Sequence, residues 1–192
     1  MDLSWGDEKT IQFVTNVGLI TSSGPHGDNV MAAEWTHHVS YSPGLIAVCV
    51  GFGKATAENI ESAGFFGVNI AAADQNVFAS IAGGNSGKDV DKIAALKELG
   101  YKFYRAEKIN ILMVDGAVLN FECKLVNKIV LGDHIMFVGE IQDSAFNPDK
   151  KLLVYHGLKF WKLSENLQKP DEKELERIKN IVEKHRKVKH EL

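Results

Sequence analysis

Alternating apolar and polar residues along much of the chain predict a mainly β protein. From Leu119 to Leu125, apolar side chains stand at every second position, which is the period of a half-buried strand. Gly132-Asp133 interrupts the pattern, and His134–Ile141 resumes it, so an antiparallel hairpin is predicted. Five more segments have strand-like patterns bounded by turn residues: Phe13–Ser22, Asn29–Ser40, Leu45–Val50, Phe65–Ile70 and Leu152–Leu163.

Three short helices are predicted between the strands. Their N-caps are expected at Thr56, at Asp74, and at either Ser86 or Asp89. Six apolar residues are expected to face the core from the second and third helices: Val77, Phe78, Ile81, Ile93, Leu96 and Leu99. Because strands and helices do not alternate regularly, a doubly wound parallel sheet is disfavoured. Many short strands with frequent turns favour a barrel or a sandwich.

A densely charged segment, 164–192, follows the β-rich body formed by 1–163. Pro170 suits a first helical position, and the basic residues near 184–189 suit the end of a helix, where the helix dipole favours cations. We therefore predict a C-terminal helix. Its narrow apolar stripe, expected to pack on the body, or alternatively to bind a partner, consists of Leu175, Ile178, Ile181 and Val182.

The amino-acid composition limits the classes of function that the chain can have. The chain has 192 residues, of which 45% are hydrophobic, enough for one domain with its own core. A formal net charge of −3 provides no general attraction to nucleic acid or to an anionic membrane. Apolar runs such as Leu45–Gly53 are far shorter than the ~20 residues of a membrane helix.

The cysteines and the first residues predict a cytoplasmic protein. Cys49 and Cys123 are far apart and lie in apolar surroundings, which indicates reduced, buried thiols rather than a disulfide framework. The N-terminus begins acidic and lacks an apolar core segment, so no secretory signal is predicted.

Two glycine-rich segments, Gly51–Lys54 and Gly83–Lys88, fall short of known nucleotide-binding motifs. The first lacks the third glycine of a dinucleotide fingerprint, and Asp89 stands where a P-loop requires Ser or Thr. Such loops can still hold an anion. Backbone N–H groups at a helix start, with Lys54 or Lys92 nearby, suit a phosphate monoester.

The histidines do not form a metal-binding pattern. His37 and His38 are adjacent and would point to opposite faces of a strand, and no zinc-ligand spacing occurs, so no metal site is predicted. Trp35 is interpreted as a core aromatic. His134 follows a turn, and both a structural and a functional role remain open for it.

A series of short segments stands in a characteristic order along residues 8–163. They include Asn29–Trp35, Gly53–Ile60, Phe65–Ile70, Ser86–Lys92, Leu119–Cys123, Gly132–His134, Phe137–Glu140 and Leu153–Gly157. This order resembles the flavin reductase-like proteins, which include flavin reductases, flavoredoxins and ferric reductases. The resemblance implies a Greek-key antiparallel split β-barrel with short flanking helices, usually as a homodimer, and the C-terminal helix lies outside it.

The resemblance also implies that the chain binds FMN. Along the ring and the ribityl chain it places Asn29, Val30, Met31, Ala32, Ala33 and Trp35. At the phosphate it places Lys54 and Thr56, with Ser86 and Lys92 closing the loop. Cations and helix N–H donors suit a phosphate dianion. Glu34 departs from the Ser or Thr of many members, and strand alternation predicts that it points away from Trp35.

The leading hypothesis is an NAD(P)H-dependent flavin reductase, with NADH or NADPH as co-substrate. The flavin carries the chemistry and the protein orients the reactants. By resemblance, His134 is the candidate catalytic residue on the nicotinamide side, and His156 is a weaker second. An FMN electron carrier of the flavoredoxin type, a ferric-complex reductase and a purely structural barrel are the alternatives. A redox partner protein is compatible with each of the redox functions.

Overall fold

The computed structural model describes residues 2–186. In chain order its strands are β1 Thr15–Asn16, β2 Gly18–Ser22, β3 Asn29–Ala33, β4 Thr36–Tyr41, β5 Gly44–Gly51, β6 Phe65–Ile70, β7 Phe103–Arg105, β8 Leu112–Val114, β9 Leu119–Leu131, β10 His134–Phe146, β11 Leu153–His156 and β12 Lys159–Lys162. A 3-10 turn covers Thr10–Gln12, and the α-helices are α1 Ala55–Ala63, α2 Asn76–Gly84, α3 Lys92–Glu98 and α4 Glu172–Lys184.

Seven strands form one antiparallel sheet in the order β3-β2-β6-β9-β10-β5-β4. The edge strands β3 and β4 are at opposite ends of this order, yet only Glu34 and Trp35 separate them in the chain. So short a connection requires the sheet to curl until its two edges meet, which closes it into a barrel. The predicted mainly β, barrel-type architecture is therefore confirmed.

The long hairpin of β9 and β10 lies in the middle of this seven-stranded sheet. The two strands pair from His134 with Leu131 to Phe146 with Leu119, and two register irregularities interrupt the ladder. At Gly139 any side chain would overlap its neighbours, since an added Cβ would lie 2.5 Å from Phe66 Cζ. The predicted hairpin across Gly132-Asp133 is confirmed, and its strands extend further than the alternating pattern indicated.

Two clusters of buried residues fill the structure. The barrel interior holds a cluster that includes Phe66 and Phe137, both fully buried. A second cluster, around Phe78 and Leu96, packs helices α2 and α3 against the outside of β2 and β3. The second cluster therefore holds α2 and α3 beside the edge strand β3.

Several predicted element details are wrong. The predicted strand Asn29–Ser40 breaks at Glu34-Trp35, because the chain there passes from one sheet edge to the other. The structural N-cap positions are Lys54, Gln75 and Asp91 instead of the predicted residues. Of these three, Asp91 caps with its side chain, which accepts from the N–H of Ala94 at 2.9 Å. Val77 and Leu99 are exposed rather than inward-facing.

The C-terminal helix α4 is present but does not pack on the body as predicted. Its apolar stripe is exposed, with Leu175 at 49% and Val182 at 62%. Asp171 caps the helix through the N–H of Glu174, so Pro170 precedes the cap and is not the first helical residue. The basic residues Lys187 and Lys189 lie outside the described residues. Among residues 2–186, no helix combines the length and the hydropathy needed to cross a membrane.

Candidate functional site

A small polar pocket lies where the start of α1, the end of α2 and the loop before α3 meet the edge strand β3. Its volume is about 150 Å³. Its lining residues are Asn29, Met31, Ala32, Lys54, Ala55, Thr56, Ala82, Gly83, Gly84, Asn85, Ser86, Gly87 and Lys92. Three chain segments that are far apart in sequence therefore converge on one site, which we call the anion pocket.

Lys92 is the most unusual residue of the anion pocket because its side chain is almost completely buried, with 3% exposure. Its Nζ donates to the carbonyl oxygens of Ala82 and Asn85, each at 3.1 Å. An ammonium has three N–H donors, so one remains after these two bonds. Burial, with the nearby charge of Lys54, lowers the pKa of Lys92 to about 8.

Lys54 is the second cation of the anion pocket and stands at the N-cap position of α1. Within residues 2–186, neither Lys54 nor Lys92 has a carboxylate within ion-pair distance. Two like charges are therefore held together at a helix start, where backbone N–H groups also point outward. Such an arrangement favours an anion, and a phosphate dianion would offset both charges.

Asn29 fixes the hydroxyl group of Thr56 at the wall of the anion pocket. The buried Asn29 Nδ2 donates to Thr56 Oγ1 at 2.9 Å, so the hydroxyl hydrogen of Thr56 stays available to an acceptor in the pocket. The loop approaches Asn29 closely at Gly87, where an added Cβ would lie 2.2 Å from Asn29 Oδ1. Only glycine therefore lets the loop close so tightly over β3.

The structure brings seven of the predicted cofactor-binding residues together at the anion pocket: Asn29, Met31, Ala32, Lys54, Thr56, Ser86 and Lys92. The side chains of Val30 and Ala33 are instead buried among core residues. They can reach a ligand in the pocket only through their backbone. Trp35 does not line the pocket and is 50% exposed, so its interpretation as a core aromatic is wrong.

Trp35 and His134 lie next to each other beside the pocket. Their ring centroids are 4.7 Å apart, and His134 Nδ1 lies 2.7 Å from Asp133 Oδ1. This hydrogen bond lowers the pKa of Asp133. An added Cβ at Gly51 would be 3.8 Å from both His134 Nε2 and Lys54 Cε. The absence of a side chain at Gly51 thus leaves open space between His134 and Lys54.

Glu34 lies near Trp5 and Tyr155. Burial raises the pKa of Glu34, and a hydrogen bond from the side chain of Trp5 partly opposes this shift. Its charge in turn contributes, after burial, to the raised pKa of Tyr155. Glu34 is therefore near Tyr155 of β11, and among residues 2–186 it forms no ion pair with Lys54 or Lys92.

A second, more apolar cavity of about 350 Å³ lies at another part of the barrel, bordered by His37, His38, Ile46, Phe121 and other residues. In the described part of the chain, no three His, Cys, Asp or Glu side chains gather as a metal site would require. His156 borders neither cavity.

Sequence reasoning missed the two carbonyl groups that hold Lys92. Ala82 and Asn85 act through their backbone oxygens, which leave no side-chain signature. It also missed Glu58 and Lys88, which form an ion pair with Nζ and Oε1 2.5 Å apart. The glycine-rich character of Gly83–Lys88 was the available signal, and it pointed to the loop that lines the anion pocket.

Comparison with known proteins identifies the family of the chain. The profile of a family described as "Flavin reductase like domain" matches residues 11–164. The chain is similar to the FMN reductase (NADH) RutF of Ancylobacter novellus, with 26% identity over 144 residues, 75% of this chain and 76% of that protein. It is similar to the NADH-dependent FAD reductase of Streptomyces globisporus, with 26% identity over 149 residues, 77% and 79% of the two chains.

A solved structure resembles the whole barrel. BorF, the flavin reductase component of a bacterial two-component tryptophan halogenase, superposes with a TM-score of 0.72 at 30% identity, covering 82% of this chain and 96% of that one. The resemblance drawn from the order of the sequence segments is thereby confirmed.

Proposed function

Since the chain belongs to the flavin reductase-like family, we propose that it is an NAD(P)H-dependent flavin reductase that binds FMN through the anion pocket. The binding site is inferred from one observation. Lys54 and the buried Lys92 converge at the start of α1, and neither has a carboxylate partner among residues 2–186. Lys54 and Lys92 would hold the phosphate of a bound flavin, which would supply the redox chemistry as the hydride acceptor, and the protein would orient the two reactants.

Five residues of the anion pocket have a role in this proposal. Lys54 and Lys92 bind the phosphate, and the Thr56 hydroxyl, held by Asn29, donates to a phosphate oxygen. Ser86 stands on the loop that covers the pocket. We favour FMN over FAD because a terminal phosphate carries two negative charges, which match two lysines in a pocket of about 150 Å³.

We propose that His134 hydrogen-bonds the nicotinamide carboxamide and positions the co-substrate. Three observations support this role: its contact with the exposed Trp35 ring, its hydrogen bond to Asp133 and its position beside Lys54 across Gly51. Asp133 holds the ring orientation through Nδ1, which leaves Nε2 on the side of Gly51. His134 thus orients a reactant, and this role requires no proton transfer from its ring.

The assembly and location of the protein are further parts of the proposal. The β9–β10 hairpin exposes the apolar side chains of Val126, Ile129, Val130 and Leu131 near its turn, and exposed apolar side chains of this kind suit the interface of a homodimer. Both cysteines are free, which fits a reducing, cytoplasmic location. We assign the flavin site to the unit formed by 1–163, with 164–192 as an extension, and reduced flavin is available to a redox partner protein.

An anaerobic titration tests the proposed activity. The protein is loaded with FMN, its visible spectrum is recorded, and NADH or NADPH is added. We expect the bound flavin to bleach within the mixing time of a manual experiment. Flavin that binds but stays yellow with both nucleotides would instead favour an electron carrier, and failure to bind any flavin would refute the assignment of the ligand.

A further inference from the structure

Three charged or titratable side chains, His26, Glu58 and Lys88, are linked to one another, and two of them lie on segments that line the anion pocket. Glu58 Oε1 accepts from Lys88 Nζ at 2.5 Å, and Glu58 Oε2 lies 2.5 Å from His26 Nε2. His26 is placed by Asn59, whose Oδ1 accepts the backbone N–H of His26 at 3.0 Å. The buried Asn59 also donates to the carbonyl of Gly27 at 2.9 Å, so the partner of Glu58 is held by a rigid turn.

Glu58 and Lys88 sit just outside the pocket, on the two segments that form its walls. Glu58 lies on α1, two residues after Thr56, and Lys88 lies two residues after Ser86 in the covering loop. Neither side chain lines the pocket. Their ion pair therefore joins the helix that would bind the phosphate to the loop that would cover it, without touching the ligand.

Gly87 of the covering loop, residues 85–91, packs closely against Asn29, but few side-chain hydrogen bonds join the loop to the barrel among the described residues. Its inner hydrogen bonds are local, such as the backbone N–H of Lys88 to Ser86 Oγ at 3.1 Å and that of Val90 to the Ser86 carbonyl at 3.0 Å. Among the described residues, the bond from Lys88 to Glu58 is the only side-chain hydrogen bond that joins this loop to α1. Outward movement of the loop would break this bond.

We propose that Glu58 and Lys88 are positioning residues that hold loop 85–91 closed over the flavin phosphate and thereby slow the release of FMN. This inference rests on the proposed function, because it requires the phosphate to occupy the anion pocket. An exposed ion pair of this kind contributes modestly, so its loss should raise the FMN dissociation rate constant about two- to five-fold.

The substitution Glu58→Gln tests the inference through the sign of its effect. Removing a negative charge near a bound dianion would, by electrostatics alone, strengthen FMN binding and slow its release. Loss of the ion pair to Lys88 would loosen the loop and speed release. Stopped-flow displacement of FMN measures the dissociation rate constant directly, and riboflavin, which lacks the phosphate, is the reference ligand.

We expect E58Q to release FMN about two- to five-fold faster than the wild type, with riboflavin release unchanged. K88M should also release FMN faster. The double variant E58Q/K88M should release it no faster than K88M alone, because both substitutions break the same bond between Lys88 and Glu58. E61Q is the matched control, since Glu61 lies on the same helix but pairs with Lys128. It should leave both rates unchanged.

Unchanged or slower FMN release by E58Q would overturn the inference while leaving the proposed function intact. Equal acceleration of riboflavin and FMN would also overturn it, because the effect would then not act through the phosphate. Additive effects in the double variant would overturn it as well, because the two side chains would then act independently of their shared bond. If the wild type binds FMN no better than riboflavin, both the inference and the phosphate site are wrong.

Discussion

Replacing Lys92 with methionine removes the buried ammonium of the anion pocket while keeping most of the aliphatic stem. In the folded protein this ammonium donates to the carbonyls of Ala82 and Asn85 and keeps one N–H for a ligand. Hydrogen bonds to charged groups contribute about 1.5–3 kcal/mol. Loss of the bond to the phosphate should therefore weaken FMN binding about 10- to 150-fold.

The same substitution should change the free energy of unfolding little. Burial lowers the pKa of Lys92 to about 8, which means that the fold disfavours the charged form of this side chain. Methionine removes that desolvation cost but leaves two carbonyl groups without their donor, at about 1 kcal/mol each or less where water replaces it. These opposing effects should keep the change within roughly 1–2 kcal/mol.

Flavin fluorescence titrations with FMN and with riboflavin test the prediction. We expect K92M to lose FMN affinity and to retain riboflavin affinity. K97M is the matched control, because Lys97 lies on the same helix at an exposed position, and it should bind both flavins as the wild type does. Equal weakening of FMN and riboflavin by K92M would refute the reasoning, since Lys92 would then support the loop rather than the phosphate.

Three further predictions follow from the geometry. Above a pH of about 8, Lys92 of the free protein loses its proton. The Kd for FMN should therefore rise by up to about tenfold per pH unit, whereas the Kd of K92M should not. Titrations between pH 7 and 9 check this prediction. H134A should lower kcat/KM for NADH without changing the Kd for FMN; weakened FMN binding would contradict a role beside the nicotinamide. G139A should lower the free energy of unfolding by about 1–3 kcal/mol, because its Cβ would overlap Phe66; chemical denaturation with S144A as the exposed control measures this loss.

The strands were largely predictable because burial imposes a period of two. Phe65–Ile70 is predicted and observed with identical bounds, and the β9–β10 hairpin follows from the alternation on both sides of Gly132. The break at Glu34-Trp35 was not predictable from this pattern. It exists because β3 and β4 occupy opposite edges of the curled sheet, and that is a property of the closed barrel rather than of the local sequence.

The start of α1 shows that a contact between distant residues can override a local capping preference. Thr56 is a good capping residue by type, but Asn29 across the chain donates to its hydroxyl, and Lys54 occupies the cap position. The stripe of α4 has the spacing of a packed helix, yet spacing alone does not reveal whether a surface exists to receive it. In the described residues the stripe is exposed.

The candidate site was predictable where side chains carry the chemistry. Lys54, Thr56 and Lys92 were identified from the order of the segments, and the structure brings them to one pocket. The carbonyls that hold Lys92 and the ion pair between Glu58 and Lys88 depend on three-dimensional contacts between separate segments. No pattern within a single segment marks them.

The crystal structure of the FMN complex is the measurement that tests the central claim most directly. We predict that the phosphate occupies the anion pocket, within hydrogen-bonding distance of Lys92 Nζ and Lys54 Nζ, with Thr56 donating to it. A phosphate bound elsewhere, such as in the apolar cavity beside His37 and His38, would contradict the account even if the protein reduces flavin.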